Sequence, residues 1–321
     1  MWTYRLIAPY TFERCEVADP SADAVADGQV LLRYSAGGIC GSDLPGFRGT
    51  QGRLPGDTGA HAAGMHGFPV HEVAGEVLAT RHPAHAVGDR VVGWASGFDG
   101  LSGLVIADGD GLAPHSSGLT PELAIGLQPL ACVLYAVEQL GDLTGRHVAV
   151  IGQGSIGLLF SYIAKASGAR LVTGVDPVDR EVLGPAFGVD RVVRATSDRW
   201  VRHLDDDRPD VVIEAVGHQV ATLGHAIEAV AFGGTVFYFG VPDDDAYPIS
   251  MRTMLRNNLT LKSGVTMDRR RMLDAASAFA AAHPDLLTRY LTHTFPVVDV
   301  TAAFELACRP TPGRVKIAIV P

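Results

Sequence analysis

The chain is poor in cysteine and in basic charge, and each shortage closes off a class of protein. Four cysteines stand at positions 15, 40, 132 and 308 of 321 residues, and no two form a Cys-x-x-Cys pair. They are too few and too scattered for a disulfide framework, and a local four-cysteine zinc knot is excluded. A reducing cytoplasm is the expected setting. Lysine and arginine number 26 against 35 aspartates and glutamates, a formal charge of −9. A protein that grips a phosphate backbone carries a basic surplus, so nucleic acid is not an expected partner. No run of about 18 consecutive apolar residues occurs, which argues against a membrane-spanning helix. The start, Met1-Trp2-Thr3-Tyr4-Arg5, lacks the basic segment, apolar run and small-residue cleavage site of a secretion signal, so none is expected.

Apolar residues are abundant instead. At 47% hydrophobic the chain can bury a large core, and at roughly 100–200 residues per domain its length suggests two domains. Three zones differ in texture. Residues 1–117 are rich in Gly and Pro, with short β-like runs at Gln29–Tyr34 and Gly75–Leu78 and a turn followed by a strand over Gly88–Gly93. Residues 118–265 alternate strand and helix patterns. Strands are predicted at His147–Ile151, Arg170–Val175, Val211–Glu214 and Thr235–Phe239, and helices at Ser155–Ser167 and Gln219–Phe232. Such alternation predicts an α/β fold with a parallel sheet covered on both faces. Residues 266–321 hold a helix pattern at Arg269–Ala282, a short one at Val300–Ala307 and a terminal strand at Val315–Val320. The acidic triplets Asp205–Asp207 and Asp243–Asp245 read as solvated loops.

The sharpest motif is Gly152-Gln153-Gly154-Ser155-Ile156-Gly157, a G-x-G-x-x-G directly after one predicted strand and before a predicted helix. Gly152 permits a tight turn, Gly154 lets backbone approach a pyrophosphate, and Gly157 allows close helix–strand packing. The helix start, with Ser155 and Ile156, offers free N–H groups to the phosphates. Asp176 ends the next strand, 19 residues after Gly157. A carboxylate there accepts hydrogen bonds from a free ribose 2′-hydroxyl and repels a 2′-phosphate, so NAD is expected over NADP. Arg180, beside Asp179, reads as a surface charge.

A second cluster lies earlier. Cys40, Ser42 and Asp43 sit in the glycine-flanked turn Gly38–Asp43, and His71 and Glu72 precede Gly75-Glu76-Val77. Thiolate, imidazole and carboxylate are all good zinc ligands. With Gly88–Val91, Gln128–Cys132, Gly152–Gly157 and Gly313–Lys316, these segments run in order along nearly the whole chain. On them the chain resembles the zinc-dependent medium-chain dehydrogenase/reductase family, the group of alcohol, sorbitol, threonine and glucose dehydrogenases.

That resemblance implies a GroES-like catalytic domain from residues 1–117 and 266–321, with a Rossmann domain at 118–265. It implies Cys40 and His71 as catalytic-zinc ligands. Glu72 either binds the metal or stands beside it, and Gln128 takes the place where polyol-type members carry a ligating Glu. Asp43 would steer a ligand imidazole by hydrogen bonding, and Ser42 would pass on the substrate proton. Three departures stand out. Gln128 is neutral, Pro45 replaces the His of the family's proton relay, and the stretch Trp94–Gly103 contains no cysteine, so the optional structural zinc lobe is missing. Between Cys40 and His71 lies a long glycine-rich segment with Arg48, Arg53, Asp57, His61 and His66; such loops shape substrate access or are surface excursions.

The implied function is zinc- and NAD-dependent oxidation of a polar secondary alcohol (a polyol, sugar, cyclitol or amino-alcohol) to a ketone, or the reverse. A zinc-free quinone or enoyl reductase of the same superfamily, or a nucleotide-binding protein without catalysis, remain the alternatives. A homodimer or homotetramer is expected, built on the last strand of the Rossmann half near Asn258–Ser263.

Overall fold

A strand that is apolar on both faces needs cover on both faces, and two such strands, His147–Ile151 and Val211–Glu214, are buried throughout. They stand at the centre of a six-stranded sheet in which every neighbour is parallel. From edge to edge it runs Arg191–Arg194, Leu171–Asp176, His147–Ile151, Val211–Glu214, Thr235–Tyr238 and Thr260–Ser263. Counted along the chain, that order is 3-2-1-4-5-6, the doubly wound arrangement that binds dinucleotides where the strand order reverses. Helix Ala221–Ala229 packs Leu223, Ala226 and Ile227 against Ala149, Val212 and Val236. This helix is shorter than its apolar pattern suggested, because Val220 and Phe232 remain exposed.

The computed structural model describes residues 1–50, 65–204 and 206–321. Arg53, Asp57 and His61 lie outside the described residues, as does Asp205. The chain divides into two compact units. One comprises Met1–Ala131, Met267–Pro310 and Arg314–Pro321, the other Cys132–Thr266 with Thr311–Gly313. The boundary at Ala131/Cys132 falls inside the helix Leu127–Leu140.

The first unit is built on a seven-stranded mixed sheet. Its order is Leu291–Pro296, Lys316–Val320, Gln29–Gly38, Glu72–Thr80, Arg90–Trp94 and Leu112–Pro114, with Leu104–Asp108 paired to Gln29–Arg33. Its core includes Val30, Leu32, Val73, Val77 and Val91. A second cluster, with Phe47, Phe68, Leu101, Phe304 and Ile317, packs the hairpin Trp2–Glu16 and helix Val300–Cys308 onto the same unit. Register decides which residues meet. Gly38 lies opposite Glu72 on one side and Ala318 on the other. Lys316 is two residues before Ala318, hence on the same face.

The segment Pro121–Leu140 is 20 residues long and apolar enough to cross a membrane by length and composition. Its helix is interrupted at Ile125–Gly126, and Leu127, Leu130, Ala131 and Val133 are fully buried in protein. It is a core helix, and its composition reflects that burial.

Candidate functional site: a metal centre and a dinucleotide cradle

The strand Gln29–Gly38 ends in a single 3₁₀ turn, Gly41–Asp43, and Cys40 sits at the corner. The corner is fixed by the Cys40 N–H, which donates to Asp43 Oδ2 at 2.8 Å. The other carboxylate oxygen of Asp43 lies 2.9 Å from His71 Nδ1. Asp43 is buried and His71 nearly so. With Nδ1 held by Asp43, the imidazole presents Nε2 as its free ligand atom. One Sγ of Cys40, one ring nitrogen of His71 and one carboxylate oxygen of Glu72 all lie within 4.8 Å of one another. Among the described residues no other group of three or more His, Cys, Asp or Glu side chains is drawn together this closely.

Glu72 is completely buried and is met by an equally buried cation, Lys316. Lys316 Nζ donates to Glu72 Oε1 at 2.7 Å and to the Ile39 carbonyl at 2.9 Å. It also lies 2.5 Å from Oε2, so both carboxylate oxygens face the same ammonium. Gly38 makes the arrangement possible. A Cβ there would stand 2.1 Å from Oε2 and 2.4 Å from Ile125 Cγ2.

The electrostatics of His71 also favour positive charge. Burial alone would depress its pKa, but the Asp43 carboxylate and the Cys40 thiol hold it well above the usual imidazole value. Thiolate, neutral imidazole and carboxylate fit a zinc ion.

Of the other residues singled out in the sequence, Ser42 is half-buried in the turn beside Cys40. Pro45 begins the buried face of helix Leu44–Arg48. Gln128 is buried in the first turn of helix Leu127–Leu140. His66 is exposed, faces Arg5 in an isolated β-bridge, and is not part of the cluster. Sequence reasoning gave no role to Lys316. The available signal was a lone lysine in an otherwise apolar terminal strand.

In the second unit, strand His147–Ile151 passes through Gly152, at φ 87°, into helix Ser155–Ala166. A Cβ on Gly157 would stand 1.7 Å from the Gly152 carbonyl, so the loop closes onto the helix only with glycine there. No atom lies within 4 Å of a Cβ built on Gly154, which leaves room for a ligand. Gln153 is buried; its amide donates to the Val150 carbonyl and it accepts from Ser161 Oγ, so it braces the loop from below. Asp176 Oδ2 accepts from the Gln153 N–H at 2.6 Å and Oδ1 from the Val178 N–H at 2.7 Å. One backbone bond to each oxygen leaves lone pairs for ribose hydroxyls.

One expectation is corrected here. Arg180 is not a surface charge: it is 4% exposed and donates to the carbonyls of Thr311 and Pro312. Burial lowers its pKa against the opposing pull of Asp176 and Asp179. The acidic runs lie in exposed loops as expected, with Asp206, Asp207, Asp244 and Asp245 all exposed, and two of their side chains also form surface pairs. Asp207 pairs with Arg170 at 2.8 Å, and Asp243 lies 2.6 Å from His218 Nδ1.

A doubly wound nucleotide fold and a GroES-like β unit with a clustered Cys, His and Glu define a two-unit dehydrogenase architecture. Known proteins agree. Residues 155–282 match the family described as zinc-binding dehydrogenase, and residues 26–111 match the alcohol dehydrogenase GroES-like domain. The L-arabinitol 4-dehydrogenase of Hypocrea jecorina is 28% identical, over 94% of this chain and 89% of that protein. The sorbitol dehydrogenase of Bombyx mori is 26% identical, over 88% and 89%. Among solved structures, alcohol dehydrogenase TADH from Thermus sp. ATN1 superposes with a TM-score of 0.79 at 25% identity, covering 100% of this chain and 99% of that one. The chain belongs to the zinc-dependent medium-chain dehydrogenase family.

Proposed function

We propose that this protein oxidises a polar secondary alcohol to a ketone, or reduces the ketone, with zinc and NAD. The observation that carries the reading is the convergence of Cys40, His71 and Glu72 within 4.8 Å. Zinc supplies Lewis acidity toward an alcohol oxygen, and NAD supplies an acceptor for hydride. Cys40, His71, Glu72 and Gln128 are the residues that would hold the metal. Asp43 fixes the ring of His71 so that Nε2 faces the metal position. Ser42 carries the substrate hydroxyl proton outward, and with Pro45 in the relay position that proton leaves through water or cofactor ribose. Gly152, Gly154, Ser155, Ile156 and Gly157 form the pyrophosphate cradle, and Asp176 reads the adenosine ribose.

The named activities of the relatives, on arabinitol and sorbitol, support a small polyhydroxy or amino-alcohol substrate. Four cysteines, none of them in a disulfide, support a reducing, cytoplasmic setting. A homodimer formed through the strand Thr260–Ser263 completes the proposal.

The test joins metal analysis with cofactor titration. About one zinc per chain is expected in the wild-type protein, lost together with activity in Cys40→Ser. NADH should bind more tightly than NADPH, and Asp176→Ala should weaken NADH binding by roughly 1–3 kcal/mol. Protein that takes up no zinc after supplementation, or that prefers NADPH, overturns the corresponding part of the reading.

A further inference from the structure

Two consecutive residues beside the metal-site histidine break local rules. Phe98 is a bulky side chain in the left-handed region, at φ 55°, where such residues are rare outliers. Asp99 keeps Oδ1 buried with no hydrogen-bond partner, and burial pushes its pKa up. Strain of this kind persists only where surrounding structure imposes it, and departures from local consistency concentrate at functional positions.

The turn is pinned so that it cannot relax. The Ala95 N–H donates to the His71 carbonyl at 2.7 Å and the Gly100 N–H to the Val70 carbonyl at 2.8 Å. Between these anchors the Phe98 N–H closes onto the Ala95 carbonyl at 3.0 Å. Beneath, Gly67 packs directly on Asp99, leaving only 2.0 Å between its Cβ position and the Asp99 carbonyl. The outcome is an aromatic ring laid 5.3 Å from the imidazole of His71, at 60°. Yet Phe98 remains 49% exposed. If packing were its role, the ring would be covered; half of it instead lies open beside the proposed ligand.

We propose that Phe98 is a specificity-determining residue: its open face is an apolar wall for the carbon skeleton of the alcohol whose hydroxyl reaches the His71 position. This rests on the zinc-dehydrogenase reading and narrows its substrate class. A wall of this kind favours a vicinal diol or amino-alcohol with a short alkyl arm next to the reacting carbon. A fully hydroxylated chain would turn a hydroxyl toward the ring, giving up part of its hydration for no hydrogen bond and burying less apolar area than an alkyl arm.

The test uses two four-carbon vicinal diols that differ only at their ends, butane-2,3-diol with methyl groups and erythritol with hydroxymethyl groups. It measures their kcat/KM ratio in the zinc-loaded enzyme, together with zinc content and the thermal midpoint of the metal-free protein. The wild-type protein should favour butane-2,3-diol. Phe98→Gly fits the left-handed backbone and removes the ring. It should reduce that preference by about tenfold, within the range known for pockets that read one small group. Zinc content should be unchanged and the thermal midpoint should hold or rise. Phe98→Leu, which keeps an apolar wall, should retain most of the preference. An unchanged ratio in Phe98→Gly overturns the inference, and so does a loss of zinc or a fall in thermal midpoint, either of which would make the ring a structural support for His71. Wild-type protein that holds zinc and oxidises erythritol in preference also overturns it. Wild-type protein with neither zinc nor diol oxidation overturns the dehydrogenase reading itself.

Discussion

Lys316 and Glu72 hold opposite charges where water does not reach, at 2% and 0% exposure. Replacing both by apolar groups is often neutral, but removing one leaves a buried charge without compensation, a loss of about 3–5 kcal/mol. Lys316→Met keeps the volume and removes the charge. In metal-free protein it should lower unfolding stability by about that amount, measured by chemical denaturation of the first unit's transition. With zinc bound, the same substitution should be less damaging, because the metal then stands beside Glu72 as the cation that Lys316 no longer supplies. Equal losses with and without zinc would mean that Glu72 stays away from the metal and serves only its lysine.

At the scale of elements, turns do most of the positioning. The corner Gly38–Asp43 sets Cys40 and Asp43, and the turn Ala95–Gly100 sets Phe98 over His71. The second turn carries a pH signature. Burial raises the pKa of Asp99 above the ordinary aspartate value of 3.8. The folded protein therefore binds this proton more tightly than the unfolded chain does, so the contribution is fully present below the unfolded value. It is lost as pH rises through the folded one. Asp99→Asn should flatten the decline in thermal midpoint between acidic and neutral pH, and the variant should be the more stable protein at pH 7. A wild-type-like pH profile in the variant would show that Asp99 carries no net desolvation. Glu214, also buried and raised in pKa, titrates in the same direction, so the difference between variant and wild type is the quantity to read.

At the scale of the molecule, the open side of the strand Thr260–Ser263 forms one edge of the six-stranded sheet. Apolar side chains gather there: Leu261 is exposed, as are Met251 and Leu255 on the preceding helix Met251–Arg256 and Val265 beyond the strand. An edge of this kind pairs readily with another chain, and a second copy offers the matching edge through a two-fold axis. Light scattering should give twice the chain mass of 33.9 kDa at micromolar concentration. Leu261→Lys should shift it toward the monomer. A wild-type protein that scatters only as the monomer removes the proposal.

The sequence determined the features that depend on local pattern. Strands His147–Ile151 and Val211–Glu214 and helix Arg269–Ala282 lie where their periodicity put them, because burial on both faces or along one stripe is written directly in residue type. The glycine fingerprint and its distant Asp176 were legible for the same reason: a tight turn, a close approach and a ribose each demand one residue type at one spacing. Tertiary structure decided what depends on register between distant strands. Lys316 meets Glu72 only because Ala318 and Glu72 flank Gly38 on neighbouring strands, 244 positions of sequence apart for the charged pair. Arg180 is buried only because the carbonyls of Thr311 and Pro312 return to it from the far end of the chain. Phe98 carries no motif at all. Its place beside His71 follows from two backbone hydrogen bonds that pin a strained turn, and nothing in residue type or spacing encodes a bond between main-chain atoms.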